Sequence, residues 1–203
     1  MKTHFRLIVI SGLSLFAISA QAQSALEKYM KKNTEATSTA KSQTEARGIN
    51  KVFKNAEGYW RLDDTRPVGG SCSITYVAGP YHAGYVGPSA ESPDALLVFI
   101  GPSIPPIKNV TRKKMTLSSA SDGEVSSTFA YHSPNSQNSE RGIVTFRLKN
   151  IQEAMDLMSD TEEIGITMDD KKVFSLKWKG GHVARKAMQK CLLNGPQKAG
   201  AKE

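Results

Sequence analysis

Length, composition and charge define a broad class before any motif is considered. The chain has 203 residues, 27 Lys and Arg against 19 Asp and Glu, and a formal net charge of +8 at pH 7. This length suits one domain of ordinary size with a core of its own. A modest positive charge without a recognised nucleic-acid-binding module argues against nucleic acid as the partner.

The first 22 residues have the organisation of a cleavable secretory signal peptide. Lys2 and Arg6 supply positive charge, an apolar run follows over residues 7–18, and Ala20-Gln21-Ala22 is a small-x-small cleavage pattern. The run has about a dozen residues, whereas a membrane span needs roughly 20. We expect cleavage after Ala22, which leaves 181 residues with a charge of +6 in the periplasm or outside the cell. An uncleaved N-terminal anchor is the alternative. No other stretch predicts a transmembrane segment.

Composition divides the rest of the chain into three parts. Residues 23–48 form a polar leader in which residues 31–47 have no large apolar side chain and cannot offset their ordering entropy, so we expect a flexible tether or a frayed helix. Residues 49–194 are predicted to form a single β-rich globular domain. Residues 195–203 are predicted to be a disordered basic tail.

Short runs of β-branched and aromatic residues alternate with turn residues in the globular part, which predicts an antiparallel sheet. The predicted strands are 58–62, 72–77, 95–100, 111–118, 124–131, 142–148, 164–168 and 172–178. Residues 96–100 are apolar without alternation, which is typical of a central strand buried on both faces. Asp169-Asp170-Lys171 predicts a tight turn between the last two strands.

Two helices and one cysteine pair complete the predicted fold. Asn150 is a good N-cap for a helix over 151–158, and a second helix after Gly180-Gly181 runs to about Leu193 with Cys191 on its apolar stripe. Cys72 and Cys191 are an even pair in an exported chain and predict a disulfide; two free buried thiols are the alternative. The expected class is α+β and β-rich: an antiparallel β-sandwich-like domain with two short helices, the C-terminal one disulfide-linked to the sheet.

Two surfaces are candidates for binding. Residues 79–89 are rich in Gly, Pro and Tyr and predict a long loop that could present Tyr81, His82 and Tyr85 to a ligand; packing of the tyrosines over a sheet edge is the alternative. The second candidate is a basic C-terminal face, with Arg112-Lys113-Lys114 as a further basic block. Its predicted residues are Lys177 and Lys179 on a strand, and Arg185, Lys186 and Lys190 on the last helix. Ordinary solubilising lysines are the alternative reading of this charge.

Catalytic patterns are mostly absent from the sequence, so we predict no catalytic residue, no metal ligand and no cofactor. There is no Gly-x-Ser-x-Gly motif, and the three histidines after residue 22 lack partners at metal-ligand spacing. Those histidines are His82, His132 and His182, the last read as a structural or capping residue. The acidic pairs Asp63/Asp64, Glu162/Glu163 and Asp169/Asp170 are predicted to be solvated turn or strand-end residues.

Several segments resemble invasion-associated locus B-type proteins. Near the start these are Trp60-Arg61-Leu62 and Gly70-Ser71-Cys72-Ser73-Ile74; Phe146-Arg147-Leu148 before an Ala/Met helix also fits. The ending Phe174-Ser175-Leu176, Gly180, Ala184, Met188 and Cys191 is similar to their close. The resemblance implies an exported bacterial β-sandwich without enzymatic activity, linked to envelope function and host-cell invasion. Members of that family often have more than two cysteines.

These observations predict an exported bacterial envelope protein of non-enzymatic binding type, related to virulence or host interaction. Its partner would be another envelope or secreted protein, or an anionic surface. A periplasmic immunity or inhibitor protein that neutralises a toxin or hydrolase is an alternative in the same broad class. A small secreted hydrolase that uses His82 or His132 is the alternative from a different class.

Overall fold

The computed structural model describes residues 50–90, 92–121 and 123–194. The predicted signal peptide (1–22), polar leader (23–48) and basic tail (195–203) therefore lie outside the described residues.

Ten antiparallel strands form one sheet in this part of the chain. The strands are β1 (Asn50–Lys54), β2 (Tyr59–Asp64), β3 (Cys72–Ala78), β4 (Tyr81–Val86), β5 (Ala95–Ile100), β6 (Thr111–Ser119), β7 (Val125–Pro134), β8 (Gly142–Leu148), β9 (Thr161–Met168) and β10 (Lys171–Lys179). Two helices are described, α1 (Ile151–Asp156) and α2 (Gly181–Leu193), together with a short 3₁₀ turn at Arg66–Val68. The strands lie side by side in the order β1-β2-β3-β4-β5-β8-β7-β6-β9-β10.

The sheet becomes sandwich-like because it curls at the junction of β8 and β7. Those two strands pair only from Tyr131↔Thr145 to Pro134↔Gly142, whereas β7 pairs with β6 along almost its whole length. We call β1–β5 with β8 the first half and β7, β6, β9 and β10 the second half. Phe174 of the second half contacts Phe99 and Tyr81 of the first, with ring centroids 5.1 and 5.8 Å apart. The predicted antiparallel, sandwich-like fold is confirmed.

Two tryptophans pack against each other and join β2 to β10, which lie near opposite ends of the strand order. Trp60 on β2 and Trp178 on β10 are fully buried, with ring centroids 5.5 Å apart in an edge-to-face arrangement. Such a pair contributes about 0.5–1.5 kcal/mol beyond the burial of its area. The indole Nε1 of Trp60 donates a 2.9 Å hydrogen bond to the carbonyl oxygen of Lys179. This bond satisfies a buried donor and joins β2 to the end of β10.

Helix α2 closes the core beside these tryptophans. Ala184, Met188 and Cys191 lie on its buried side, as the apolar stripe predicted. Cys191 forms the predicted disulfide with Cys72, at a sequence separation of 119. A closed loop of that length stabilises the fold by about 5 kcal/mol in the chain-entropy model, from which any native strain subtracts. The guanidinium of Arg66 also donates a hydrogen bond to the carbonyl oxygen of Asn194, at the end of α2.

Most predicted elements are present, and the differences have local reasons. The expected loop over 79–89 was wrong, because Gly79 and Pro80 alone form the turn and residues from Tyr81 to Val86 are strand β4. Gly79 has φ +56°, as the first central residue of a type II′ hairpin turn requires. Strand β1 was not predicted. Helix α1 ends two residues before the predicted bound, and Asn150 caps it by accepting from the Gln152 amide at 2.9 Å.

The predicted central strand and last hairpin are also confirmed. β5 lies in the middle of the sheet and buries Leu96 and Leu97, which point to opposite faces. Met168 pairs with Lys171, and the turn residues Asp169 and Asp170 have φ +50° and +60°. Two successive residues in the left-handed region define a type I′ turn, for which glycine is preferred at the second position.

Replacing Asp170 by glycine should raise the free energy of unfolding by about 0.5–1 kcal/mol, because glycine adopts this conformation without a clash between Cβ and the carbonyl oxygen. Lys171→Gly is the matched control, since it adds the same freedom to the unfolded chain at a strand position. It should lower stability by about 0.5–1 kcal/mol. Urea denaturation measures both variants, and equal destabilisation by the two would contradict the type I′ assignment.

Candidate binding surface

Strand β4 does not present its tyrosines to solvent. Tyr81, Ala83 and Tyr85 share the inner face of the sheet, which points into the core between the two halves. Tyr85 is buried, and burial together with the nearby Glu162 carboxylate raises the pKa of its phenol above the ordinary value. The tyrosines are therefore placed to pack in the core, and the predicted loop that would display them is absent.

His82 points to the outer face of the sheet, away from the core. It lies between Val77 on β3 and Ile100 on β5, and its side chain is half-buried. Partial burial lowers the pKa of the imidazole, and the guanidinium groups of Arg61 and Arg141 lower it further. The fold therefore favours neutral His82.

His132 lies at the same end of the sheet, in β7. It is only 3% exposed, and its Nε2 lies 2.8 Å from the carbonyl oxygen of Pro105. That oxygen can only accept, so the Nε2–H of His132 donates this hydrogen bond. Nδ1 is buried without a hydrogen-bond partner among the described residues, and so is the hydroxyl of the next residue, Ser133. Adjacent strand residues point to opposite faces, so this serine does not face the ring.

The pairs Asp63/Asp64 and Asp169/Asp170 lie at a strand end and in a turn, as predicted, but Asp63 and Asp64 are part-buried in ion pairs rather than solvated. Asp63 accepts from the Nε of Arg61 at 2.9 Å, and Asp64 accepts from Arg66 at 2.7–2.8 Å, all of them part-buried. The Arg66 hydrogen bonds hold the pKa of Asp64 below its usual value. Asp169 and Asp170 are exposed in the hairpin turn.

Glu162 corrects the prediction of a solvated carboxylate, because it is only 7% exposed. Its Oε1 accepts from the backbone amides of Ala120, Ser121 and Glu163 at 2.9–3.0 Å, and its Oε2 accepts from the Ser121 hydroxyl. The carboxylate thereby fixes the chain that leaves β6 toward β7. A carboxylate satisfied by several amide donors is a structural group in this position.

The predicted basic residues belong to two different parts of the molecule. Lys177 and Lys179 lie on the outer face of β10, where they alternate with buried Leu176 and Trp178. Arg185, Lys186 and Lys190 belong to α2, which packs against α1 and the first three strands. Arg185 donates a 3.0 Å hydrogen bond to the carbonyl oxygen of Asp156. The backbone amide of His182 donates a 3.2 Å hydrogen bond to the carboxylate of Asp160. Asp160 therefore supplies the side-chain acceptor for the first turn of α2.

Pairing register adds residues from β6 to the cations of β10. Lys172, Thr167 and Thr116 are laterally paired across β10, β9 and β6, so their side chains share one face. Arg112 and Lys114 precede Thr116 by four and two residues, so they point the same way. We call this set the outer basic face: Arg112, Lys114, Lys172, Lys177 and Lys179. The alternation of side chains along β6 is enough to predict that Arg112 and Lys114 point to one face and Lys113 to the other. The ammonium of Lys113 pairs with Asp169 at 2.9 Å.

The outer basic face is an open surface that also carries two carboxylates, Glu163 directly opposite Lys177 on β9 and Glu57 beside Lys179. Lys179 pairs with Glu57 at 3.3 Å, and within the described ranges it is the only member of the set in an ion pair. Arg112 stacks over the ring of Phe129, with its Cζ 4.2 Å from the centroid. The hydroxyls of Thr116 and Ser127 lie between the cations and are hydrogen-bonded to each other at 2.8 Å. Such a surface offers several cations and hydroxyl groups to a flat anionic partner.

Among the described residues, one group of side chains has a spacing that could suit a metal ion, but its chemistry does not. Asp64, Cys72 and Cys191 place potential ligand atoms within 4.8 Å of one another. The two sulfurs are joined in the disulfide and the carboxylate is bonded by Arg66, so these atoms do not fit a metal ion.

Comparisons with protein-family models, curated proteins and solved structures found no match to this chain. The resemblance to invasion-associated locus B-type proteins therefore stays a prediction. Neither described helix has the length and apolar character needed to cross a membrane.

Replacing His82 by glutamine should make stability less dependent on pH between about pH 7 and pH 5. The folded-state pKa of His82 lies below the ordinary value of an imidazole, so protonation favours the unfolded chain and stability falls as the pH drops through about 6.5. Urea midpoints of the wild type and His82→Gln measure this difference. Arg141→Gln removes one neighbouring cation and should give an intermediate slope. Parallel pH profiles for all three proteins would contradict the assignment.

Replacing Glu162 by glutamine should lower the free energy of unfolding by about 1–2 kcal/mol, because the hydrogen bonds lose their charge assistance. Glu162→Ala should cost about 3 kcal/mol, since it leaves several part-buried amides without an acceptor. Glu163→Gln is the matched control at the next, exposed position and should change stability by less than about 0.5 kcal/mol. Equal effects at the two positions would contradict the structural role of Glu162.

Proposed function

We propose that this chain is an exported bacterial envelope protein that acts by binding rather than catalysis, with a role in envelope function or host interaction. The signal-peptide pattern of residues 1–22 supports export to the periplasm or beyond. The Cys72–Cys191 disulfide is compatible with an oxidising compartment. The outer basic face is the proposed binding surface, and its partner is an anionic surface of lipid headgroups or glycan.

The observation that carries this proposal is the convergence of β6 and β10 cations on one open face. Four of its members, Arg112, Lys114, Lys172 and Lys177, form no ion pair within the described part of the chain. Unpaired surface cations interact with an approaching polyanion without first losing a protein carboxylate. Each lysine or arginine near an anionic membrane contributes about 1 kcal/mol, and this contribution falls with added salt.

The placement of the other candidates gives them less support. Tyr81 and Tyr85 face the core, so they add little area to a surface contact. Lys186 and Lys190 on α2 are exposed but belong to a different part of the molecule. A hydrolase based on His132 would need local opening of the sheet before a substrate could reach its ring.

The test measures binding of the oxidised protein lacking residues 1–22 to two anionic probes and their neutral counterparts. The probes are vesicles of phosphatidylcholine with or without phosphatidylglycerol, and dextran sulfate beside dextran. We expect salt-sensitive binding to at least one anionic probe. Lys172→Glu with Lys177→Glu should weaken it by about 30-fold or more, because two contacts of about 1 kcal/mol become repulsive.

The matched control is Lys186→Glu with Lys190→Glu, which changes net charge equally on α2. It should retain most of the binding. Equal losses in both double variants would indicate a general charge effect and contradict the assigned face. Absence of binding to every anionic probe, with one stoichiometric protein partner recovered from the native envelope, would favour the immunity or inhibitor alternative. The lipid and glycan arms separate the two possible sources of negative charge.

A further inference from the structure

The second half of the sheet has a free edge at the beginning of β7. Residues 125–129 pair with β6 on one side, and the described pairing with β8 on the other side starts only at Tyr131. All five are exposed, including Val125 at 70% and Phe129 at 54%. Within the described part of the chain no strand pairs with the other side of these five residues, so their backbone donors and acceptors that point away from β6 are placed to pair with another strand.

The opposite edge of the same half is protected, which makes the β7 edge distinctive. β10 carries Lys171, Lys172, Lys177 and Lys179 and has a register shift between Lys172 and Phe174. Edge lysines and bulges are the usual means by which proteins prevent pairing between sheets. Residues 125–129 read Val-Ser-Ser-Thr-Phe, with no charge, no proline and no register shift in their pairing with β6.

We propose that this edge pairs with the same edge of a second copy of the chain. An antiparallel pair centred on Ser127 places Val125 opposite Phe129 of the second copy, and Ser126 opposite Thr128. Aromatic pairs with β-branched residues and Ser–Thr pairs are both favourable cross-strand combinations. No charged side chain of this segment faces its own copy across the twofold axis, so the segment is complementary to itself.

The resulting dimer extends the second half into an eight-stranded sheet with one outer face. Antiparallel pairing within a sheet keeps the same face of both copies on the same side, so the two outer basic faces lie side by side. If those faces bind an anionic surface as proposed above, pairing would make the contact bivalent. The self-association itself does not depend on that function. Stable protein–protein interfaces bury about 1,200–2,000 Å², and pairing of two five-residue edges would bury less than that. We therefore expect a weak dimer that dissociates on dilution.

Sedimentation velocity over a concentration series tests this proposal on the oxidised protein without residues 1–22 and without any anionic ligand. The wild type should show a monomer–dimer equilibrium. Ser127→Lys places two lysines together at the twofold axis and should give a monomer at every concentration. Thr116→Lys is the matched control: it removes the same Thr116–Ser127 hydrogen bond and adds the same charge one strand further in, so it should still dimerise.

Cysteine cross-linking then tests the register. Ser127→Cys should form a disulfide-linked dimer on mild oxidation, because residues directly opposite across an antiparallel pair have Cα atoms about 4.5–5.5 Å apart. Ser126→Cys should not, since its nearest copy lies diagonally at about 7–8 Å. A wild type that stays monomeric at the highest concentration overturns the proposal. So does a dimer that Ser127→Lys leaves intact, or one that Thr116→Lys disrupts equally. Circular dichroism checks that each variant is folded.

Discussion

The fold depends on the closure between β2 and β10, because within the described residues the backbone pairing that joins the two halves of the sheet is limited to the short β7–β8 ladder. The Trp60 indole reaches the Lys179 carbonyl, and its ring packs against Trp178. The disulfide adds a second link at the same sequence separation of 119 residues. Both links join residues that are distant in the chain. Folding must therefore overcome the entropic cost of closing a long loop before either link can stabilise the native state. Once formed, they hold β10 and α2 against the first half, where Trp60, Trp178 and Cys191 are buried.

This closure also determines which side chains remain for binding. With the inner face of β10 committed to Phe174, Leu176 and Trp178, strict alternation directs Lys177 and Lys179 outward. Pairing with β9 and β6 then brings cations 60 residues apart in sequence onto one face. The same lysines blunt the β10 edge against pairing with other sheets. The lysines of β10 therefore have two effects: they prevent the edge from pairing with other sheets, and they present positive charge on the outer face.

The elements with a clear period could be predicted from sequence, and the interactions between distant residues could not. The alternation of β10, the stripe of α2 and the acidic hairpin turn are local patterns, and each was identified correctly. β4 has the period of two in Tyr81, Ala83 and Tyr85, but Gly84 and the glycines and prolines that flank the strand favoured a loop. Glu162 looked like a solvated carboxylate because its amide donors at Ala120 and Ser121 lie about 40 residues away. The outer basic face required the register between β6, β9 and β10, which no local pattern contains.

The free edge of β7 follows from the way a single sheet forms a sandwich. For the second half to lie over the first, β7 must leave β8 after Tyr131, while β8 continues beside β5 as far as Leu148. Among the described residues, the departing strand remains paired with β6 and has no strand on its other side, so an open edge is the geometric consequence of closure at Trp60. Proteins commonly cover or charge such an edge. Here the segment between Val125 and Phe129 is neutral and exposed on both faces. The neighbouring strand β6, by contrast, carries Lys113 and Lys114. A sequence that charges β10 and β6 but keeps this stretch uncharged retains the ability to pair there, and that contrast is the physical basis for assigning the edge to a second copy.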